Sequence, residues 1–180
     1  KVVAPVAIDA DDIGGVVKSA KGPEAGVWVI AETRELPTRF IRIVVTDDQG
    51  RYVLPDLPQA TYDVWVRGYG LVDSAKVKAQ PGRIVNLAAK IAPSARAAAQ
   101  YYPAIHWYSM VRIPDAKYFG PDNTSGMPPQ VTLNDYLRQI KNAGCIGCHQ
   151  LGQLSTRTIP REFAKESSSF AQWLRRVQSG

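Results

Sequence analysis

Short apolar segments separated by turn residues fill the first half of the chain. The segments are rich in β-branched and aromatic residues, which favour strands. They are residues 27–31, 40–46, 52–54, 62–67, 75–78 and 84–87. In one of them apolar side chains alternate with their neighbours, Tyr62, Val64 and Val66 against Asp63, Trp65 and Arg67. Gly, Pro and Asp residues mark the turns between them. The pattern predicts an all-β antiparallel sandwich. Its predicted core residues are Trp28, Tyr52, Leu54, Tyr62 and Val64.

The last 50 residues carry a helical period instead. Leu133, Tyr136, Leu137 and Ile140 fall on one face of a predicted helix that Thr132 and Asp135 would cap. A second predicted helix follows a run of three Ser residues, and its apolar face holds Phe170, Trp173, Leu174 and Val177. The sequence therefore predicts a small helical domain over residues 132–180 and a sandwich over residues 1–92.

A connector over residues 93–131 separates these two domains. It contains six aromatic residues between positions 101 and 119, and its prolines exclude long helices. Such a segment is too apolar for a free linker. It either forms ordinary packing between the domains or builds a wall around a cofactor.

Length and charge exclude several classes of protein. The chain has 180 residues, of which 45% are hydrophobic, so it can bury a core and is not disordered. The net charge is +6, yet no basic stripe with interleaved aromatic residues points to nucleic acid. No apolar run is long enough for a transmembrane helix. The chain begins at Lys1 and no apolar signal segment follows it, which predicts a processed or trimmed form.

One short motif carries the chemistry. The chain has only two Cys and two His, and three of these four residues are Cys145, Cys148 and His149. This CxxCH spacing is the attachment signature of c-type haem. The two thiols would form thioethers with the haem vinyl groups, and His149 would be an axial ligand of the iron. The prediction is one covalent haem c.

Other uses of two Cys at this spacing are less well supported. A structural zinc ion needs four ligands, and only distant His106 could complete the set. A thioredoxin-type redox pair requires a βαβ setting, whereas this motif follows a predicted helix. A motif present by chance is the third alternative. The acidic pairs Asp11–Asp12 and Asp47–Asp48 could suggest calcium, but neither has the EF-hand spacing.

Two families resemble this chain. Residues 13–90, with Thr46-Asp47-Asp48-Gln49-Gly50-Arg51-Tyr52 and Leu54-Pro55-Asp56-Leu57-Pro58, resemble the carboxypeptidase regulatory-like domain, a transthyretin-like sandwich. That resemblance implies a structural and docking module without catalytic residues. The helix before CxxCH and the final amphipathic helix resemble those of small c-type cytochromes. That resemblance implies electron transfer and an axial Met after the motif.

The expected axial Met is absent, because no Met or His follows His149. The sixth ligand could lie beyond Gly180 or in another chain, or the iron could lack one. Within the chain the candidates are His106, Met127 and Met110.

These observations predict an exported monohaem c-type cytochrome that transfers electrons to a redox partner protein. The sandwich would be a docking or assembly module, and the location would be periplasmic or extracellular. One alternative is the N-terminal, haem-relay segment of a larger secreted oxidoreductase. Another is a haem-bearing subunit of an extracellular assembly or filament. No catalytic residue is assigned, because the sequence contains no acid–base pair or nucleophile motif.

Overall fold

The chain divides into two units, Lys1–Tyr102 and Pro103–Gly180, in a computed structural model. The structure describes residues 6–142, 144, 147 and 150–179. The division follows Tyr102, so the first part of the predicted connector belongs with the strands and the rest with the helices.

Eleven short strands and one helix form the described part of the first unit. They are β1 Ile13–Ser19, β2 Gly22–Pro23, β3 Trp28–Thr33, β4 Phe40–Val45, β5 Arg51–Leu54, β6 Tyr62–Arg67, β7 Leu71–Val72, β8 Val77–Ala79, β9 Arg83–Ile84, β10 Leu87–Ala88, β11 Lys90–Ile91 and α1 Ala95–Ala99. The predicted strand over residues 62–67 is confirmed at both ends. The strand predicted over 84–87 is instead two short strands, β9 and β10, separated by Val85 and Asn86.

Three sheets result, and their arrangement is consistent with a β-sandwich. The four-stranded sheet has the order β4-β3-β6-β8, all antiparallel. In a second sheet β1 pairs antiparallel with β2 and β5 and parallel with β9 and β10. β7 and β11 form a separate pair. The prediction of a wholly antiparallel sandwich is therefore wrong for β9 and β10, because both strands run parallel to β1.

The core of this unit lies between the two larger sheets. Ile13, Val17 and Leu54 from one sheet and Val29 and Val64 from the other are fully buried in a single cluster. Burying each such side chain contributes roughly 1.5–3 kcal/mol to folding. Of the five predicted core residues, Tyr52, Leu54, Tyr62 and Val64 are confirmed.

Two tryptophans differ from their predicted places. Trp28 was expected in the core, but it lies on the outer face of the four-stranded sheet, half-buried, with its ring 5.4 Å from that of Tyr69. Trp65 was expected on a half-exposed face, but it is buried. The Lys76 ammonium lies 4.2 Å from the centre of the Trp65 ring, so a long side chain helps to cover this indole.

The turn before β5 has the predicted chemistry. Gly50 has φ +74°, a conformation that side chains with a Cβ avoid. The Asp47 carboxylate accepts hydrogen bonds from the backbone N–H groups of Gln49 and Arg51. The Arg51 backbone N–H is the main cause of the lowered pKa of Asp47. Tyr52 then enters the core, and its hydroxyl donates to the Val85 carbonyl oxygen at 2.6 Å.

Helices and short helical turns make up the described part of the second unit. They are α2 Ala104–Ser109, a 3₁₀ turn at Ala116–Tyr118, α3 Leu133–Lys141, α4 Leu154–Arg157, a 3₁₀ turn at Arg161–Phe163 and α5 Ser169–Gln178. Both predicted helices are confirmed, each with a Ser or Thr N-cap, Thr132 for α3 and Ser168 for α5. Within the residues that the structure describes, no helix has the length and apolar character needed to cross a bilayer.

Candidate functional site

The three motif residues, Cys145, Cys148 and His149, lie outside the described residues. The chain on either side of them is described: α3 ends at Lys141, and the chain continues at Gln150 towards α4. The geometry around the motif therefore comes from α2, α3 and the segment 150–157.

A capping box fixes the start of α3, as predicted. The Thr132 hydroxyl accepts a hydrogen bond from the Asp135 backbone N–H at 3.1 Å, and the Asp135 carboxylate accepts one from the Thr132 backbone N–H at 3.1 Å. The Thr132 hydroxyl also donates to that carboxylate, and this bond is the largest cause of the lowered pKa of Asp135. The carboxylate is therefore ionised at neutral pH and stabilises the N-terminus of the helix.

Helix α2 packs tightly against the chain that follows the motif. A Cβ at Gly152 would lie 2.0 Å from the Ala104 carbonyl oxygen, a distance that only glycine permits. Gly152 also has φ +91°, which again suits glycine. On the same segment, Arg157 donates from Nε to the Gly152 carbonyl oxygen at 3.2 Å. A helix of the connector thus packs directly on residues 150–157.

A tryptophan on α2 has a buried donor that finds no acceptor in the described part of the chain. The indole Nε1 of Trp107 is buried and has no hydrogen-bond partner among the described residues. The Arg157 guanidinium lies 4.2 Å from the centre of the Trp107 ring. A buried N–H without a partner costs about 1–3 kcal/mol. The Trp107–Arg157 pair was not predicted, because the two residues are fifty positions apart and only the fold brings them together.

A cavity of about 190 Å³ lies beside the apolar face of α3. The lining residues include Tyr108, Val111 and Ile113 from one side and Tyr136, Leu137 and Ile140 from α3. Three of the four residues predicted for the apolar face of α3 therefore line one concave surface.

The described side chains of the second unit form no buried core. Between residues 103 and 179 each of them is at least partly exposed. On α5, the predicted apolar face includes Phe170 at 76% and Val177 at 77% exposure. A capped helix with an exposed apolar face suits a large apolar prosthetic group, and a CxxCH motif supplies the thiols and imidazole that haem c requires. The residues present therefore fit the group.

The candidates for the sixth ligand differ in their surroundings. His106 on α2 is half-buried, and its ring stands edge-on to that of Trp107 at 5.6 Å. Met110 follows α2 and is 61% exposed. Met127 lies in a loop in which the Asn123 side-chain amide donates to the Met127 carbonyl oxygen at 3.0 Å. His106 is the one of the three that lies on the helix packed against residues 150–157.

Carboxylates from both acidic pairs accept hydrogen bonds from nearby backbone N–H groups. Asp47 is used by the turn before β5. Asp9, Asp11 and Asp12 place carboxylate oxygens within 4.8 Å of one another near the surface. Asp12 accepts hydrogen bonds from the backbone N–H groups of Asp9 and Asp56, so it organises its own loop.

Comparison with known proteins gives limited similarity. No protein-family model and no curated protein matches the chain. Among solved structures, a streptococcal ancillary pilin is 14% identical with a TM-score of 0.39, covering 48% of this chain and 31% of that one. The Bacillus anthracis TIE protein is 19% identical with a TM-score of 0.36, and the match covers 46% of this chain and 16% of that one. Catechol 1,2-dioxygenase from Pseudomonas arvilla C-1 is 13% identical with a TM-score of 0.36, and the match covers 48% of this chain and 53% of that one. The matched part spans less than two thirds of each of these chains.

Proposed function

We propose that this protein is an exported c-type cytochrome with one covalent haem that transfers electrons. The observation that carries the proposal is the motif Cys145-x-x-Cys148-His149 in a chain with only two Cys. The capped helix α3 before the motif and the exposed apolar face of α5 support it. Attachment of haem c takes place after export, so the location is periplasmic or extracellular. The partner is a redox protein that docks to the exposed surface.

In this proposal the bound haem supplies one-electron chemistry at its iron. Cys145 and Cys148 hold the group by two thioethers, and His149 donates a nitrogen to the iron. Leu137 and Ile140, which line the cavity beside α3, would help to exclude water from the group, as would the aromatic side chains of α2. A covalently attached group suits a small unit that buries little of its own surface, since non-covalent affinity would depend on that burial.

The experiment that tests the proposed function is voltammetry of the exported protein. We expect a single reversible one-electron wave together with sharp visible absorption bands in the reduced state. A protein that binds haem but gives no reversible wave would contradict electron transfer as the function.

For the sixth ligand, we expect His106→Ala to make the haem high-spin and to raise its reduction potential. A nitrogen ligand favours Fe(III), so its loss favours Fe(II). The measurement is an electronic spectrum in both oxidation states with a redox titration.

The matched variants for this experiment are Met127→Ala and Met110→Ala. Each removes the other type of donor from the same unit, and loss of the charge-transfer band of a Met-ligated haem would identify either as the ligand. Spectra unchanged in all three variants would place the donor outside residues 1–180 or leave the iron five-coordinate.

A second candidate, a haem-bearing subunit of an assembly, is favoured by one edge of the four-stranded sheet. At the β8 edge, Lys76 and Lys78 flank Val77, and such charges discourage further strand pairing. The β4 edge carries Ile41, Ile43 and Val45 on its outer face, all exposed. Two copies of β4 can pair antiparallel about Ile43, which sets Ile41 opposite Val45 of the second copy on the same face.

This candidate predicts a dimer that Ile43→Lys converts to a monomer, because two buried ammonium groups would meet at the two-fold axis. Val77→Lys on the opposite edge is the control and should leave the dimer intact. Sedimentation velocity at micromolar concentrations measures both. If the wild-type protein sediments as a monomer, assembly through the β4 edge is refuted.

A further inference from the structure

The cavity beside α3 combines an apolar lining with two positive charges. Its apolar and aromatic side chains come from α2, from the chain that follows α2 and from α3. Arg112 and Lys141 line the same cavity, both are exposed, and none of its described lining residues is acidic. The electrostatic field in the cavity therefore favours an anion.

Neither of these cations is neutralised by a carboxylate of the described chain. No ion pair between described residues includes either of them. The acidic residue that follows Arg112 most closely is Asp115, and it pairs with Lys117 at 3.5 Å. On α3, Asp135 pairs with Arg138 at 3.6 Å. Both positive charges of the cavity are therefore left for a bound ligand.

The apolar lining of the cavity is accessible to a ligand. Val111 and Ile113 are 45% and 55% exposed, and they line the cavity together with Leu137 and Ile140 of α3. An apolar group that fills this space removes these side chains from water, which favours its binding. The cavity therefore suits a ligand with an apolar body as well as a negative charge.

The size of the cavity limits that apolar body to a single ring. The volume is about 190 Å³, and an apolar cavity of about 150 Å³ binds benzene. Tyr108 and Tyr136 both line it, and aromatic rings pack favourably edge-to-face or offset against one another. A porphyrin contains four pyrrole rings and does not fit, so the attached haem would not fill this cavity.

We propose that the cavity binds a small aromatic carboxylate. The ring packs against Val111, Leu137 and Ile140, and the carboxylate accepts hydrogen bonds from Arg112 and Lys141. A guanidinium can donate two parallel bonds to a carboxylate, and an ammonium adds a point charge. The inference goes beyond the proposed function and does not depend on it, because the CxxCH residues are not needed for this site.

The test is isothermal titration calorimetry of the exported, full-length chain with phenylacetate as the probe. We expect one saturable site with a Kd below about 1 mM, which is within reach of a ligand of this size. Phenylacetamide keeps the ring and loses the charge, and acetate keeps the charge and loses the ring. Both should therefore bind more weakly than phenylacetate. Equal Kd values for phenylacetate and either of the other two compounds would overturn the proposal, and so would the lack of saturable binding.

Charge variants locate the carboxylate in the cavity. Arg112→Gln and Lys141→Gln should each raise the Kd for phenylacetate about two- to fivefold, the range of an exposed charge pair, and leave that for phenylacetamide unchanged. The matched control is Lys165→Gln, which removes an exposed cation of the same unit that does not line the cavity. An equal rise in the control, or no rise in either cavity variant, would overturn the assignment of these two cations.

A filling variant locates the ring. Val111→Trp places a large side chain in the cavity from a partly exposed position that follows α2, and it should abolish the binding of both phenyl compounds. Unchanged binding in a variant that circular dichroism shows to be folded would overturn the location. If the variant fails to fold, the comparison of the three probes on the wild-type protein still decides the proposal. Haem attachment is read separately from covalent mass, so its failure would leave this site intact.

Discussion

The double variant Cys145→Ala, Cys148→Ala is expected to carry no covalent haem, and each single variant is expected to lose most of it. In the proposed attachment each thiol would supply one of the two thioethers, so the double variant would remove both links to the porphyrin. Haem that is merely bound would leave the polypeptide when the protein is denatured. A pyridine haemochrome assay on denatured protein therefore measures the covalent fraction directly.

The matched control for this experiment is Ile146→Val, which changes one of the two residues between the thiols and preserves the CxxCH spacing. It should retain haem at the wild-type level. Covalent haem that persists in the double variant would refute attachment through these thiols. Loss of haem in the control as well would mean that the assay reports the folding or export of the chain.

The second large effect concerns the sandwich, which should fold without the helical unit or haem. Residues 1–102 contain the whole buried cluster of β1, β3, β5 and β6. We therefore expect this fragment to show β-type circular dichroism and cooperative unfolding in urea. A fragment that lacks a cooperative transition would contradict the independence of the unit.

A fragment ending at residue 92, the predicted end of the sandwich, should fold but be less stable by about 2 kcal/mol. It lacks the buried Ala98, and it lacks Tyr102, whose ring lies 4.7 Å from that of Tyr69. It also lacks the hydrogen bond from the Gly70 backbone N–H to the Tyr102 hydroxyl oxygen at 3.0 Å. An aromatic pair contributes about 0.5–1.5 kcal/mol and a hydrogen bond about 1 kcal/mol. Equal urea midpoints for the two fragments would show that α1 and Tyr102 do not contribute to the stability of the sandwich.

Local features of the fold could be predicted from the sequence, and non-local ones could not. The strand at Tyr62–Arg67, the Gly50 turn and the Thr132 cap depend on residues within a few positions of one another. The parallel pairing of Val17 with Leu87 joins positions that are distant in the chain. No local periodicity encodes such a register, because a strand segment has the same alternation in either direction.

Burial of the tryptophans shows the same limit. Alternation placed Trp65 on the more exposed face of β6, and the register does put it opposite Ile30 on the outer face of the sheet. It is buried all the same, with the Lys76 ammonium over its ring. Position on a strand predicts which way a side chain points, but burial depends on what else covers that face.

For the candidate site, the sequence predicts the attachment residues and the helices on either side of them. It does not predict helix α2 or the packing of that helix on residues 150–157, because the prolines of the connector argue against long helices. Pro103 is instead the N-cap of α2, a position where its missing N–H costs little. The close contact at Gly152 and the pair of Trp107 with Arg157 follow from that packing.

The most direct test of the central claim is the intact mass of the wild-type protein after export in a host that matures c-type cytochromes. The account predicts a single species heavier than the polypeptide by one haem, with sharp α and β bands in the reduced state. A polypeptide of unmodified mass, recovered folded from the same host while a control cytochrome is matured, would contradict the account.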